Sequence, residues 1–172
     1  MLAWGAKVSK PFRDKVIQIA LNLKTDPSFL MACMAFETGE TFSPSILNKA
    51  GSGAVGLIQF MPTTAMALGT TTQKLAAMSA VKQLEFVEKY FSNAVGKLNM
   101  LEDAYMAILW PVAVGKPLSF VLFDKKDPKH PKRYIQNVGL DFNKDGLITK
   151  EEAAEKVRQK LNKGMLPGNA SV

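Results

Sequence analysis

Residues 37–65 read ETGETFSPSILNKAGSGAVGLIQFMPTTA, and this is the most informative stretch of the chain. Between positions 29 and 72 only Glu37, Glu40 and Lys49 are charged, and the apolar run PSFLMACMAFE ends at Glu37. A carboxylate at the end of an apolar run, followed by a glycine-rich segment, is unusual for an exposed helix. Burial disfavours the charged form of a carboxyl, so this pattern predicts an acid held in a pocket, where it takes part in chemistry.

Apolar spacing predicts helices on both sides of this stretch. Asp26 and Pro27 form an N-cap followed by proline at the first helical position, and the apolar run after them predicts a buried central helix that Gly39 ends. The other predicted helices lie at about residues 10–23, 62–68, 75–98 (one or two helices), 102–110, 134–138 (one turn) and 150–161, with a loop or small hairpin at 112–130.

The same stretch resembles the first two motifs of soluble lytic transglycosylases and goose-type lysozymes, which cleave the glycan strands of peptidoglycan. The matching residues are Glu37, Thr38, Gly39, Phe42, Pro44, Asn48, Gly53, Ala54, Gly56, Leu57, Gln59, Met61, Pro62, Thr64 and Ala65. The resemblance implies an all-α, lysozyme-like domain over residues 1–138, with Glu37 as the catalytic acid. It also implies that Gly53, Gly56 and Gln59 line the cleft, where glycines let backbone amides approach a sugar and the Gln amide binds an N-acetyl group.

The number of carboxylates near Glu37 bears on the reaction type. A two-carboxylate hydrolase needs a second Asp or Glu across the sugar, and between Glu37 and Gln59 only Glu40 is available. Lytic transglycosylases, by resemblance, use a single Glu and give 1,6-anhydro ends. We therefore expect such cleavage of the MurNAc–GlcNAc β-1,4 bond. The alternative is a hydrolytic muramidase (lysozyme or endolysin) that uses water, with Glu102 or Asp103 as the base.

Two later segments extend the resemblance loosely, to about residue 138. The family's A-Y-N-x-G motif is represented by Ala104, Tyr105 and Met106, which keep the tyrosine and lose the asparagine and glycine. A final element is represented by KRYIQNV at residues 132–138, which contains Tyr134. The resemblance implies that Tyr105 and Tyr134 bind substrate, although a core position is nearly as good an interpretation of Tyr105.

Residues 141–152 read DFNKDGLITKEE and fit the twelve-residue EF-hand template. The predicted calcium ligands are Asp141, Asn143, Asp145, the carbonyl of Leu147, Thr149 and Glu152, with Gly146 at the turn. Thr149 and Glu152 also fit a capping box for the last helix, and both interpretations can hold together. The sequence has no second loop for pairing. We therefore predict a structural Ca²⁺ clip, not a sensor, in a C-terminal unit of residues 139–172, and no cofactor for catalysis.

The charge and the single cysteine limit the function classes. The net charge of +7 favours anionic partners, and cations concentrate in KKDPKHPKR and the last helix. This region predicts either contact with the anionic bacterial envelope or a solvated face that promotes solubility. No base-reading motif or aromatic-interleaved basic motif is present, so no nucleic-acid partner is expected. Cys33 lies inside the apolar run and is expected to be a small buried hydrophobe.

No sequence window approaches the ~18 apolar residues of a membrane span. The N-terminus MLAWGAKVSKPF lacks the features of a secretory signal, so we expect synthesis in the cytoplasm and action on the periplasmic or extracellular wall. A phage endolysin released through a holin, or a virion component, would act in this way. A signal removed in cloning is the alternative. We expect a monomer.

Two interpretations outside enzymology stay open. The first is a non-catalytic peptidoglycan-binding protein, which would be expected to lose the acid, whereas this chain keeps Glu37. The second is a calcium-binding interaction module, which would require a second EF-hand loop.

Overall fold

The computed structural model describes residues 1–171, and these residues form a predominantly helical structure. The helices are α1 (Lys10–Leu23), α2 (Pro27–Glu37), α3 (Pro62–Ala67), α4 (Thr72–Ala77), α5 (Ala80–Phe91), α6 (Leu101–Leu109), α7 (Pro131–Asn137) and α8 (Lys150–Gly164). The strands are β1 (Val121–Asp124) and β2 (Leu147–Thr149), and short 3₁₀ helices cover Gly5–Lys7, Ser92–Ala94, Pro111–Ala113 and Val138–Leu140. Among the described residues no helix is long and apolar enough to cross a membrane.

Capping residues set the helix boundaries close to those predicted. The Asp26 side chain accepts a hydrogen bond from the Ser28 N–H at 2.7 Å and starts α2. The predicted helical segment at 75–98 is divided into α4 and α5, because the Ser79 hydroxyl caps a new helix by accepting from the Lys82 N–H. The last helix, α8, begins in the predicted capping box of Thr149 and Glu152.

The two strands pair with each other across the sequence. β1 and β2 are antiparallel, with Phe123 opposite Ile148 and Asp124 opposite Leu147. No hairpin therefore forms inside residues 112–130, because the strand of that segment pairs with the predicted calcium loop. The expectation of an all-α fold is corrected by this small sheet to a predominantly helical one.

Helix α2 is shared by the two parts of the hydrophobic core. Its Leu30 and Met34 pack with α1, α5 and the segment 55–60, whereas its Ala32 and Cys33 pack with α6, the sheet and α8. Cys33 is free and buried, as predicted, and burial raises the pKa of its thiol. A helix that is apolar all round is the expected occupant of such a central position.

The C-terminal region packs into the same body. The indole Nε1 of Trp4 donates to the Lys160 carbonyl at 2.9 Å, and a side chain at Gly164 would begin 2.4 Å from the indole ring. Leu2 and Ser171 form a β-bridge beside this contact. Residues 139–171 thus share a core with the preceding residues, and the division into units 1–138 and 139–172 stays a prediction from sequence alone.

Candidate active site

Glu37 is the last residue of α2, at the point where the chain turns sharply. Thr38 is fully buried, donates its hydroxyl to the Met34 carbonyl at 2.7 Å and accepts from the Phe42 N–H at 3.0 Å. Gly39 and Glu40 follow in the left-handed region, with φ of 59° and 71°. The side chain of Thr38 therefore holds the turn that presents Glu37.

The Glu37 carboxyl is half-buried, and no described residue pairs with it. Within residues 1–171 it accepts no hydrogen bond and forms no ion pair, although most buried carboxylates have partners. Burial raises the pKa of Glu37 to about 7. A carboxyl with this pKa retains its proton near neutral pH and can serve as a general acid.

Two tyrosines lie within electrostatic reach of Glu37. Tyr105 is buried with its ring edge-on to Phe36 at 5.6 Å, and Tyr90 donates its hydroxyl to the Ala107 carbonyl at 2.8 Å. Desolvation raises the pKa of both tyrosines, and the negative charge of Glu37 raises it further. Tyr105 was predicted from sequence. Tyr90 was not, because no motif marks it and its position on α5 is that of an ordinary flanking aromatic.

The glycine-rich segment after Glu37 forms a tight turn. Val55 and Phe60 exchange backbone hydrogen bonds of 3.1 and 2.8 Å, which brings the residues between them into a closed loop. Gln59 occupies the left-handed region there, with φ of 53°. Its Nε2 donates to the carbonyls of Ile46 and Gly56, both at 3.2 Å, while its Oε1 accepts no hydrogen bond from the described residues. Gln59 thus stabilises the loop with its donor and keeps a free acceptor.

Gln83 of α5 holds this loop by side-chain hydrogen bonds, and the sequence did not predict this role. Its fully buried side chain accepts from the Leu57 N–H at 2.7 Å and donates to the Pro44 and Leu75 carbonyls at 2.9 and 2.8 Å. Buried polar residues are uncommon on an amphipathic helix, yet nothing in the local sequence pattern distinguishes Gln83 from a surface glutamine.

The two predicted cleft glycines differ in their surroundings. A Cβ at Gly56 would lie 2.3 Å from Oε1 of Gln83, and the Gly56 N–H is already bonded to the Ile46 carbonyl at 2.9 Å. Packing against Gln83 therefore explains by itself why position 56 is a glycine. Substrate binding by Gly56 stays a prediction. Gly53 is exposed, with φ of 77°.

A groove of about 390 Å³ is lined by residues at the end of α5 and at the end of α6. Tyr90 forms one wall, and the ring of Phe60 from the glycine-rich loop meets Tyr90 edge-on at 6.2 Å. Pro111 and Val114, which follow α6, line the groove as well. The groove therefore lies between the end of α5 and the segment after α6, and Tyr90 is its contact with the glycine-rich loop.

The other carboxylates near the motif form ion pairs with lysine or arginine side chains. Asp103 is buried and accepts from the fully buried Lys150 ammonium at 2.5 Å, and Glu102, also buried, forms an ion pair with Arg158. Glu40 accepts from two lysines of α8. Glu102 and Asp103, which were considered as the base of a hydrolase, therefore face α8 and hold it to α6.

Tyr134 lies at the predicted calcium loop. Its hydroxyl donates to Oδ2 of Asp141 at 2.5 Å, and Gly146 donates its N–H to the same oxygen at 3.0 Å. The charges that act on Tyr134 are those of the loop carboxylates, and Glu37 is not among them. The structure thus places Tyr134 beside the loop carboxylates, and substrate binding by Tyr134 stays a prediction.

The loop carries two buried carboxylate oxygens without partners. Oδ1 of Asp141 and Oε1 of Glu152 accept no hydrogen bond from the described residues, while Oε2 of Glu152 accepts from the backbone and hydroxyl of Thr149. Within residues 1–171 no three His, Cys, Asp or Glu side chains converge closely enough to hold a metal. The EF-hand template, however, also uses amide and backbone oxygens, here those of Asn143 and Leu147.

The fold and the acid at the end of a buried helix are those of a lysozyme-like, glycan-cleaving enzyme. Residues 14–114 match the sequence model of the family described as "Transglycosylase SLT domain", and the chain belongs to this family. A comparison with curated proteins gave no match. Members of the family are peptidoglycan-cleaving lytic transglycosylases, so the chain is an enzyme of this type, and peptidoglycan of the bacterial cell wall is its substrate.

Proposed function

We propose that the chain cleaves the MurNAc–GlcNAc β-1,4 bond by a single-Glu lytic transglycosylase mechanism, with Glu37 as acid and then as base. The observation that carries the proposal is the half-buried Glu37 carboxyl, whose pKa is raised to about 7 and which has no partner among residues 1–171. General acid–base catalysis is most effective when the pKa of the catalytic group lies near the working pH.

The reaction has two proton transfers, both at Glu37. First, the protonated carboxyl donates its proton to the glycosidic oxygen, and the C1–O bond of MurNAc breaks while the N-acetyl carbonyl of the same sugar stabilises C1. Then the carboxylate accepts the proton of the C6 hydroxyl as that oxygen bonds to C1 and closes the 1,6-anhydro ring. Glu37 ends protonated, and no water enters the product.

The ion pairs of the neighbouring carboxylates support this choice over hydrolysis. An inverting or retaining hydrolase needs a second free carboxylate within about 5–9.5 Å of the acid. Glu102 and Asp103 are buried against cations of α8, and Glu40 is bound by two lysines. None of the three is free to activate a water molecule.

For the cleft, we assign Oε1 of Gln59 to the N-acetyl N–H of a sugar and the exposed backbone at Gly53 to the adjacent sugar. Nε2 of Gln59 is already used inside its loop, so only the acceptor is available. Tyr105 packs edge-on against Phe36, the residue before Glu37, and substrate binding by Tyr105 stays part of the proposal.

Mass spectrometry of digested muropeptides tests the reaction type. The proposal expects 1,6-anhydro-muramyl ends from the wild type and their loss, by about 10²–10⁴-fold in rate, in Glu37→Gln. The glutamine keeps the shape of the side chain, and a melting curve of the variant shows that it is folded. If the digests contained reducing ends alone, the enzyme would be a muramidase. If Glu37→Gln kept full activity, Glu37 would not be the catalytic acid.

We also propose that the loop of residues 141–152 binds a structural Ca²⁺. Asp141, Asn143, Asp145, the Leu147 carbonyl, Thr149 and Glu152 would hold it. The unpartnered buried oxygens of Asp141 and Glu152 support this proposal, because a buried carboxylate oxygen without a partner is costly and a cation would compensate it. Calcium would there join the start of α8 to the loop before it.

A third proposal concerns the basic segment at 125–133. Its cations Lys125, Lys126, Lys129 and Lys132 are exposed, and within the described residues none of them forms an ion pair. We propose that they contact the anionic envelope surface, which salt-dependent binding to killed cells would test. Phage origin, synthesis in the cytoplasm and the monomeric state stay predictions from the sequence.

A further inference from the structure

Three large apolar side chains are exposed close together at the end of α7. Ile135, Val138 and Phe142 are 67%, 53% and 47% exposed. Ile135 and Val138 are three residues apart in the continuous helical segment that α7 and the following 3₁₀ helix form, so they are neighbours on one face. Isolated exposed apolar residues are ordinary, whereas a group of them indicates an interaction surface.

Contacts of two other side chains hold α7 in its orientation. Tyr134 is buried, and its hydroxyl donates to the Asp141 carboxylate at 2.5 Å. The guanidinium of Arg133 lies over the ring of Trp110, 5.0 Å from its centroid. Because the helix is fixed through these residues, its exposed apolar side chains are presented to solvent by the fold itself.

Cations dominate the chain next to this apolar face. Residues 125–138 contain five lysine or arginine side chains and one acid, Asp127, whose carboxylate accepts from the backbone N–H groups of Lys129 and His130. A cavity of about 320 Å³ opens at the start of α7, and its described lining contains no acidic residue. The lining residues are Lys129, His130, Pro131, Lys132, Arg133 and Gln136. Such a cavity suits an anionic group such as a phosphate.

The combination of cations and apolar side chains discriminates between possible partners. Nucleic acids and anionic wall polymers present hydrated phosphates and no aliphatic surface that would cover Ile135 and Val138. A second copy of this chain would bring like charges together, which is unfavourable. An anionic phospholipid membrane offers phosphates to the cations and acyl chains directly beneath them to the apolar side chains.

We infer that the surface formed by Lys129, Lys132, Ile135, Val138 and Phe142, here called the α7 surface, binds anionic phospholipid membranes. The lysines contact headgroup phosphates, and the apolar side chains insert at the boundary between headgroups and acyl chains. The inference rests on the proposed contact of segment 125–133 with the envelope, and it names the membrane as the component that is bound.

The test is co-sedimentation of the whole chain with two kinds of vesicle. One kind is phosphatidylcholine alone, and the other is phosphatidylcholine mixed with anionic phosphatidylglycerol. Binding is measured for the wild type, Ile135→Ser and Lys132→Gln. The matched controls are Leu21→Ser, which changes a residue of α1 that is also 67% exposed, and Lys74→Gln, which removes an exposed lysine of α4. Melting curves show that each variant is folded.

The wild type should bind the mixed vesicles and not those of phosphatidylcholine alone. Lys132→Gln should lower the partition coefficient about fivefold, which is the effect of one cation near an anionic membrane. Ile135→Ser should lower it roughly tenfold, because a large apolar side chain no longer inserts. High salt should remove the effect of Lys132→Gln and keep that of Ile135→Ser, since salt screens only the charges. Both controls should bind as the wild type does.

Three results would overturn the inference: no binding to the mixed vesicles, equal binding of Ile135→Ser and the wild type, or displacement by inorganic phosphate at constant ionic strength. The last result would identify a site for free phosphate. If salt-dependent binding to killed cells persists without vesicle binding, the envelope contact stands and only the lipid inference fails. Cleavage of purified, lipid-free peptidoglycan by the wild type and Ile135→Ser is measured in parallel and should be equal, so a failure of the proposed catalysis is seen separately.

Discussion

Nζ of Lys160 lies 2.5 Å from Oε1 of Glu40, although the two residues are 120 positions apart. Lys163 donates to both oxygens of the same carboxylate, at 2.9 and 2.7 Å. Glu40 follows Glu37 by three residues, and its backbone is held in the left-handed region with φ of 71°. The last helix, which lies outside the family match, therefore contacts the turn that follows Glu37, the proposed catalytic acid.

We expect Glu40→Gln to lower kcat while KM changes little, because the turn after Glu37 loses two ion pairs that hold it on α8. The fall should stay below the about 100-fold that a 1 Å displacement of a catalytic group can cause. Glu85→Gln, which breaks the exposed Lys82–Glu85 pair, is the matched control and should leave kcat unchanged. Unchanged kcat in Glu40→Gln would show that α8 does not support the site.

The raised pKa of Glu37 predicts a pH-dependent cost in stability. The folded state holds this proton up to a pKa of about 7, whereas the unfolded chain releases it near about 4.3. Stability is therefore lost as the pH rises between these values, by at most about 4 kcal/mol.

The glutamine of Glu37→Gln cannot ionise, so this variant should not lose stability as the pH rises from 4 to 8. Denaturant unfolding of the two proteins should give similar stabilities near pH 4 and a more stable variant at pH 8. A difference between the curves that does not vary with pH would contradict the raised pKa.

The buried pair of Asp103 and Lys150 predicts strong non-additivity. Asp103→Asn or Lys150→Met alone leaves one buried charge unpaired, so each should lower the free energy of unfolding by about 3–5 kcal/mol. The double variant removes both charges and should lose less than the sum of the two. The same cycle on the exposed Lys82–Glu85 pair should give a coupling below about 1 kcal/mol. Additive losses at Asp103 and Lys150 would argue against a direct pair.

Gly56→Ala should destabilise the glycine-rich loop more than Gly51→Ala. Both residues have positive φ, 82° and 75°, so both substitutions share a backbone strain of roughly 1–2 kcal/mol. Open space surrounds Gly51, whereas a Cβ at Gly56 would displace Gln83 and release the Leu57 N–H, at a further cost of about 1–3 kcal/mol. Chemical denaturation measures the difference, and equal losses would contradict the role of Gln83.

Calcium should raise the melting temperature. A ligand that binds only the folded state adds about 2.7 kcal/mol at a hundredfold excess over Kd. Glu152→Gln should abolish the calcium-dependent shift, whereas Glu151→Gln, an exposed neighbour on the same helix, should keep it. If millimolar calcium left the wild-type melting curve unchanged, this loop would not be a structural calcium site.

Local patterns in the sequence were sufficient for most helices. The cap at Asp26, the proline at position 27 and the all-apolar run after them predicted α2 and its burial, because capping and hydrophobic periodicity act within a few residues. The pairing of β1 with β2 was missed, since strand pairing depends on which segments the tertiary fold brings together.

Residue types at fixed separations along the chain were enough to predict the family, which the family match confirms, and to propose Glu37 as the acid. Which polar groups remain free depends on the tertiary structure. Gln83, Lys150 and Lys160 look like ordinary polar residues in the sequence, and long-range packing alone places them against Gly56, Asp103 and Glu40. Whether a carboxylate has a partner depends on contacts made across the fold, which the local pattern of a sequence does not contain.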